Sequence, residues 1–234
     1  MDKRTKVLFF LWIYFNMKYI KQVKNKKKYR IGSESIIYEC DNGLYKKITN
    51  KKVIQNKINK LLLLDKINDI KKYYNEVLGI VNNKGYIIKK VEGIQLFQYN
   101  GNNRINVLKE LKKILEIFKT YNIYYLDINL SNVFITYDNL KLIDIDNIKI
   151  ADYNIDLLPD LYYRYYSLGG TDINKAMIFV FNIMSVLFLE NKSSFYNIKQ
   201  IKNYEYLDYD IINDLAYSNI DSTCDNTYLI DKLR

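Results

Sequence analysis

Apolar positions along this chain follow two rhythms, one with the period of a strand and one with the period of a helix. Between Arg30 and Ile48 short β-prone runs flank a turn: Ser35 to Cys40 (SIIYEC), then Asp41-Asn42-Gly43, then Leu44 to Ile48 (LYKKI). Asn-Gly supplies the positive backbone angles of a tight connection, so this stretch predicts a hairpin. From Lys52 to Ile67 the period lengthens, with Ile54, Ile58, Leu61 and Leu62 at helical spacing and an apolar run ending at Leu64. Strand-like runs return at Val77 to Val81 and Gly85 to Val91 (GYIIKKV), separated by Asn82-Asn83-Lys84 and closed by Glu92-Gly93. They predict a second hairpin leading to a break. Leu108, Leu111, Leu115 and Phe118 then mark one stripe of a helix over Ile105 to Tyr121. Ala176 to Leu189 (AMIFVFNIMSVLFL) is apolar nearly all round apart from Asn182 and Ser185, as befits a helix in the middle of a domain. A β-rich first part with one inserted helix and a helix-rich second part predict an α+β fold of two lobes with a cleft between them. The boundaries expected are an apolar and basic extension at 1–29, a β-rich lobe at 30–92 and a helical lobe at 93–234.

Composition removes whole classes of chemistry. At 234 residues and 49% apolar, the chain is long enough to bury a substantial core. It contains no histidine, so mechanisms that need an imidazole base are excluded and acid–base work falls to carboxylates, lysines or tyrosines. Cys40 and Cys224 lie far apart and follow no metal-ligand spacing, which argues against zinc and against a disulfide framework, and for a reducing, cytoplasmic setting. The net charge of +10 accompanies a joint enrichment in Lys, Asn, Ile and Tyr, as in an A+T-biased genome, and most lysines are scattered. The clearest cluster, Lys24 to Arg30 (KNKKKYR), reads as a solvated basic linker, and nucleic acid is not favoured as a partner. Val7 to Phe15 (VLFFLWIYF) is a run of nine apolar residues between basic flanks, against the roughly 20 that span a bilayer. No small-residue cleavage site follows at Asn16-Met17-Lys18-Tyr19. The run could dock on the folded body, lie at a membrane surface or precede a start at Met17; docking is favoured.

The stretch with most chemistry is Ile123 to Ile148 (IYYLDINLSNVFITYDNLKLIDIDNI). Asp127 and Asn132 sit five apart, Val133 to Thr136 and Leu140 to Ile143 flank a Tyr-Asp-Asn turn, and Asp144 follows the second run directly. A loop, a tight hairpin and its exit would bring three oxygen-bearing side chains to one point. Phosphoryl transfer needs that convergence, because a hard cation takes oxygen ligands and a carboxylate must receive or orient the attacking hydroxyl.

Here the sequence resembles the protein-kinase-like superfamily, whose catalytic loop reads H-R-D-x-x-x-x-N and whose metal loop reads D-F-G. Tyr125-Leu126-Asp127 with Asn132 resembles the first, Asp144-Ile145-Asp146 the second, and the wording D-I-N-L-S-N and I-D-I-D-N is similar to that of small kinase-like proteins of low-GC Gram-positive bacteria. The resemblance covers about Arg30 to Leu189. It implies a two-lobed fold with a β-rich N-lobe and a helical, shortened C-lobe. It implies ATP and Mg2+ as cofactors, Asp127 as catalytic base, and Asn132 and Asp144 as metal ligands. Gly32-Ser33-Glu34-Ser35 resembles a reduced Gly-rich loop, and Leu44-Tyr45-Lys46 the strand whose lysine pairs with the phosphates. Ile88 would line the adenine pocket, with backbone groups at Lys89 to Val91 against the base. There are departures. No acidic residue lies between Lys46 and Leu64 to match the family's helix glutamate, Lys60 aligning there instead, and Asp146 replaces the glycine of the metal loop. Asp146 is left open as a second metal ligand or a turn carboxylate, and Asp152 and Asp156 read as loop or capping residues. The Tyr162 to Tyr166 group reads as packing, or as a docking patch.

The function expected is ATP- and magnesium-dependent transfer of the γ-phosphoryl group to a protein or small-molecule hydroxyl. The alternative is a pseudokinase, a nucleotide-binding or protein-interaction module. A nucleotide-sugar enzyme built on Asp144-x-Asp146, or a basic nucleic-acid binder, lacks a supporting framework: no doubly wound βα pattern and no aromatic-basic motif appears.

Overall fold

Both expected hairpins form, and they join into one sheet. The computed structural model describes residues 19–32, 34–41, 43–156, 159, 165–166 and 170–189. The first hairpin pairs β3 (Ser35–Cys40) with β4 (Gly43–Ile48), and the second pairs β5 (Val77–Val81) with β6 (Gly85–Ile88). Asn82 and Asn83 both take positive φ, at 22° and 52°, in the second turn. Asparagine tolerates that region because its short side chain compensates locally. β4 and β6 lie side by side, and Gly85 makes this approach feasible: at φ 150° an added Cβ would overlap the Lys46 carbonyl oxygen.

Two further strands extend the sheet into the segment expected as an extension. β1 (Tyr19–Ile20) runs parallel to β5, and β2 (Lys27–Ile31) runs antiparallel to β3, giving the order β1-β5-β6-β4-β3-β2. The basic cluster is therefore an exposed edge strand rather than a linker, and lysines on a sheet edge discourage pairing with other chains. The apolar run Val7 to Phe15 and Cys224 lie outside the described residues.

Alternation along β4 and β6 divides their side chains between two faces. Tyr45, Val81 and Ile87 pack on one with Ile20 and Val23, whereas Ile48, Ile80 and Tyr86 join the main core on the other. On that second face sits α1 (Ile54–Leu64), followed by a 3-10 turn at Asn68–Tyr73. The main core is continuous from α1 through α2 (Arg104–Thr120) to α3 (Ile173–Leu189), where Ala176, Met177, Phe179 and Val180 are buried. The architecture is α+β. Among the described residues no helix is long and apolar enough to cross a membrane.

The rest of the fold serves to deliver loops. α2 stops where Asn122 turns left-handed at φ 60°, a common way for a helix to end. β8 (Ile123–Tyr125) follows at once and pairs with β11 (Ile148–Ile150). Between them the hairpin of β9 (Val133–Ile135) and β10 (Leu140–Leu142) forms as expected, with β7 (Ile94–Gln95) along its other edge.

Candidate functional site

Asp127 leaves the end of β8 in a loop whose bonds are nearly all made by its own side chains. The Asn132 amide donates to the Asp127 carbonyl at 3.0 Å, and the Asn129 amide donates to the Asp127 carboxylate at 3.2 Å. Asn129 also accepts the Ser131 N–H at 2.9 Å, so one side chain closes the loop from both ends. Tyr125, fully buried, donates its hydroxyl to the Ile143 carbonyl at 2.7 Å. The Ile143 N–H in turn donates to the Asn132 carbonyl at 2.9 Å. These two bonds stitch the exit of β10 to the Asp127–Asn132 loop.

Asp144 follows with φ at 61°. Aspartate, like asparagine, tolerates this left-handed region, and the turn directs the chain out of β10 towards the Asp127 loop. Its carboxylate, 43% exposed, is ion-paired by Lys46 from the middle of β4. Lys46 is buried, and its Nζ also lies 3.0 Å from an Asp146 carboxylate oxygen. The three expected residues Asp127, Asn132 and Asp144 are thus brought together with Lys46, from segments up to 98 residues apart.

The fields at these groups differ in sign. Burial, reinforced by the neighbouring Asp144 carboxylate, pushes the Asp127 carboxyl up to about 7. Burial opposes the charged form of Lys46, but the Asp146 and Asp144 carboxylates outweigh it and hold its ammonium well above the ordinary lysine range. Asp146 shows the reverse balance: burial disfavours its charge, yet Lys46 and Lys57 hold it below the usual carboxylate range. A carboxyl near neutrality, beside a carboxylate and a fixed cation, can exchange a proton with a hydroxyl at ordinary pH.

The donor set suits a hard cation. Among the described residues no three His, Cys, Asp or Glu side chains gather into a metal cluster, so a dedicated protein cage is absent from them. Magnesium does not require one, because it keeps several waters and rests on one or two carboxylates together with phosphate oxygens. The half-exposed Asp144 carboxylate and the Asn132 carboxamide match that demand.

The remaining expected positions are dispersed. Gly32 lies in the turn before β3, its N–H bonded to the Ser35 carbonyl at 2.8 Å, and Ser33 is outside the described residues. Ile88, half-buried, closes β6 opposite Leu44. Val91 lines a polar cavity of about 720 Å³ with Tyr74, Lys89 and Lys141, and neither Lys46, Asp127, Asn132 nor Asp144 borders it.

Lys57 carries no role in the sequence reading, and Lys60 enters it only as the residue aligned with the family's helix glutamate. Lys57, on α1, reaches Asp146 at 3.3 Å and Glu34 at 3.0 Å. One turn on, the fully buried Lys60 reaches Asp156 at 2.7 Å, and Asn56 bonds the same carboxylate. Asp156 is therefore an ion-pair partner rather than a cap, and Asp146 in this structure is a lysine partner, only 1% exposed. A signal was available: Lys57 stands on the stripe shared by Ile54, Ile58 and Leu61, where helical spacing calls for an apolar residue. Of the Tyr162 to Tyr166 group, Tyr165 is buried and Tyr166 exposed, and the rest lie outside the described residues.

Compared with the known protein-family models and with curated proteins, the chain matches none.

Proposed function

We propose that the chain is an ATP- and magnesium-dependent phosphotransferase with a two-lobed, protein-kinase-like fold, acting on a hydroxyl of a protein or small molecule. One observation carries the reading: a carboxyl at about 7, a half-exposed carboxylate, a carboxamide and a buried lysine meet at one place, from three separate segments. In this reading residues 30–92 bind the nucleotide and 93–234 carry the chemistry. The bound magnesium would neutralise charge on the phosphates. Asn132 and Asp144 would hold it, Lys46 would face the phosphates from β4, and the adenine is assigned to Ile88 and the backbone near Val91 by the resemblance, the cavity that Val91 lines being bordered by none of those site residues. Asp127 would accept the proton of the attacking hydroxyl as the hydroxyl oxygen bonds to the γ-phosphorus and the bond from that phosphorus to the departing ADP breaks.

A second reading, a nucleotide-binding module without turnover, draws on Lys46 occupying the Asp144 carboxylate, which a metal would have to share.

The test is thermal unfolding of the whole chain with and without ATP and magnesium, using Asp144→Ala as control. A ligand at about a hundred times its dissociation constant stabilises by roughly 2.7 kcal/mol. A magnesium-dependent rise in Tm that Asp144→Ala loses supports the site; no rise at millimolar ATP overturns both readings. Phosphate transfer from labelled ATP then separates them.

A further inference from the structure

A lysine that must face phosphate from the middle of a strand needs a carboxylate to hold it, because an ammonium on a flexible stem has many positions open to it. Along α1 no acidic side chain is available for this. The carboxylate comes from the other direction. Asp146 lies two residues beyond Asp144 and is 1% exposed. One of its oxygens faces Lys46 Nζ at 3.0 Å, and the other faces Lys57 Nζ at 3.3 Å. Lys57 also pairs with Glu34, at 3.0 Å, in the turn before β3. Four segments therefore meet in one alternating chain of charge, Lys46, Asp146, Lys57 and Glu34.

We propose that Asp146 is the positioning carboxylate for Lys46, and that Lys57 links it to α1 and to the Glu34 turn. Polarity along α1 is thereby reversed: the helix contributes the cation and the loop after β10 contributes the anion. Asp144, by contrast, is 43% exposed at its side chain and can be drawn away from Lys46 without leaving the lysine unpaired. Lys46 then has a permanent partner and an exchangeable one. The same array would tie the Gly32 turn to α1, so that the segment expected over the phosphates and the lysine beneath them are set by one carboxylate. The part of the proposal that concerns nucleotide rests on the phosphotransferase reading; the assignment of Asp146 to Lys46 does not.

Two measurements test it on the full chain. The first is acylation of individual lysines by an activated ester, mapped by peptide mass. Lys46 and Lys60 are both buried and paired, and both should react slowly in the parent protein. In Asp146→Asn, which keeps the shape and removes the charge, Lys46 is left with the exposed Asp144 and its acylation should rise about tenfold or more, while Lys60 stays slow. An unchanged Lys46 rate would mean that Asp144 alone holds it, and a parallel rise at Lys60 would make Asp146 a general structural residue; either result overturns the proposal. The second measurement is a double-mutant cycle read by the dissociation constant for ATP with magnesium. Lys57→Met should weaken binding about tenfold in the parent and only about twofold in the Asp146→Asn background, because the link it makes is already gone. Equal losses in the two backgrounds would remove Lys57 from the array. A parent protein that binds no nucleotide sinks the phosphotransferase reading, and the acylation pattern still decides the role of Asp146.

Discussion

Two groups of charge share the segment from Asp144 to Asp156, one under α1 and one at the loop after β8, and they are compensated to different degrees. Under α1, every carboxylate has a lysine: Asp146 has Lys46 and Lys57, and Asp156 has Lys60. In the loop after β8, the Asp127 carboxylate accepts from the Asn129 amide and, among the described residues, has no lysine paired to it, and burial together with Asp144 pushes it up to about 7. A saturated pair is a means of holding elements together, since removing either partner strands a buried charge. A buried carboxyl without a cation is costly to ionise, so it keeps its proton to near neutrality and can exchange it there. The comparison suggests that incomplete compensation, rather than the mere presence of acidic residues, separates the reacting group from its scaffold.

The sharpest way to break this contrast is at the unsaturated group. Asp127→Asn should lower phosphate transfer by about a hundredfold to ten-thousandfold, the usual share of a general base. Binding of ATP with magnesium should change only a few-fold, since Asp127 is assigned no contact with the nucleotide. Steady-state rates and a binding titration on one preparation decide it; equal loss of both would return Asp127 to the scaffold.

On the saturated side the expected loss is one of stability. Lys60→Ala leaves Asp156 without its cation in a site where Lys60 is fully buried, and urea unfolding should show a loss of about 3–5 kcal/mol. Replacing both residues, as Lys60→Met with Asp156→Leu, should recover most of that loss. A single variant within about 0.5 kcal/mol of the parent would show that the pair is not holding α1.

What could be read from the sequence follows the same division. The strands and helices that bury one face announce themselves by period: Leu108, Leu111, Leu115 and Phe118 all lie on the buried face of α2, and the turns take positive φ at Gly43 and at Asn82 and Asn83. Asp127, Asn132 and Asp144 could be grouped because a loop and a short hairpin make their meeting a local matter. The lysine array could not be grouped that way. Lys46 and Asp146 are 100 residues apart and Lys60 and Asp156 are 96 apart, so no local spacing links them; the apolar stripe marks the helix lysines as buried positions but does not name their partners. The Lys24 to Arg30 cluster reads as a linker in the sequence because an edge strand with no buried face has no alternation to display.

The pH dependence of stability sharpens the contrast further. An aspartate in the unfolded chain loses its proton near 3.9, whereas folded Asp127 keeps it up to about 7. Between these values the folded state binds more protons, so this group's contribution to stability is fully present below about 4 and is lost as pH rises through 7. Asp127→Asn should remove that loss. Between pH 5 and pH 8 the variant should gain roughly 1–3 kcal/mol over the parent, by denaturant unfolding without nucleotide. A difference that stays flat with pH would mean that Asp127 ionises freely, and the distinction between the two groups would fall.

The smallest effect expected lies at Gly32, where stability and binding should part company. Gly32 has no positive φ that demands glycine, and an added Cβ would stand 3.5 Å from the Ser35 carbonyl oxygen, an ordinary contact. Gly32→Ala should therefore leave unfolding within about 0.5 kcal/mol of the parent. If the turn before β3 lies over phosphate, the missing side chain is there to let the backbone approach, and the same methyl should weaken ATP with magnesium several-fold. Gly85→Ala is the reference with the opposite outcome, since its Cβ meets the Lys46 carbonyl and must disturb β4 before any ligand is present. Unchanged affinity in Gly32→Ala, with Gly85→Ala destabilised as expected, would take the Gly32 turn out of the nucleotide site while leaving Asp127, Asn132, Asp144 and Lys46 where they are.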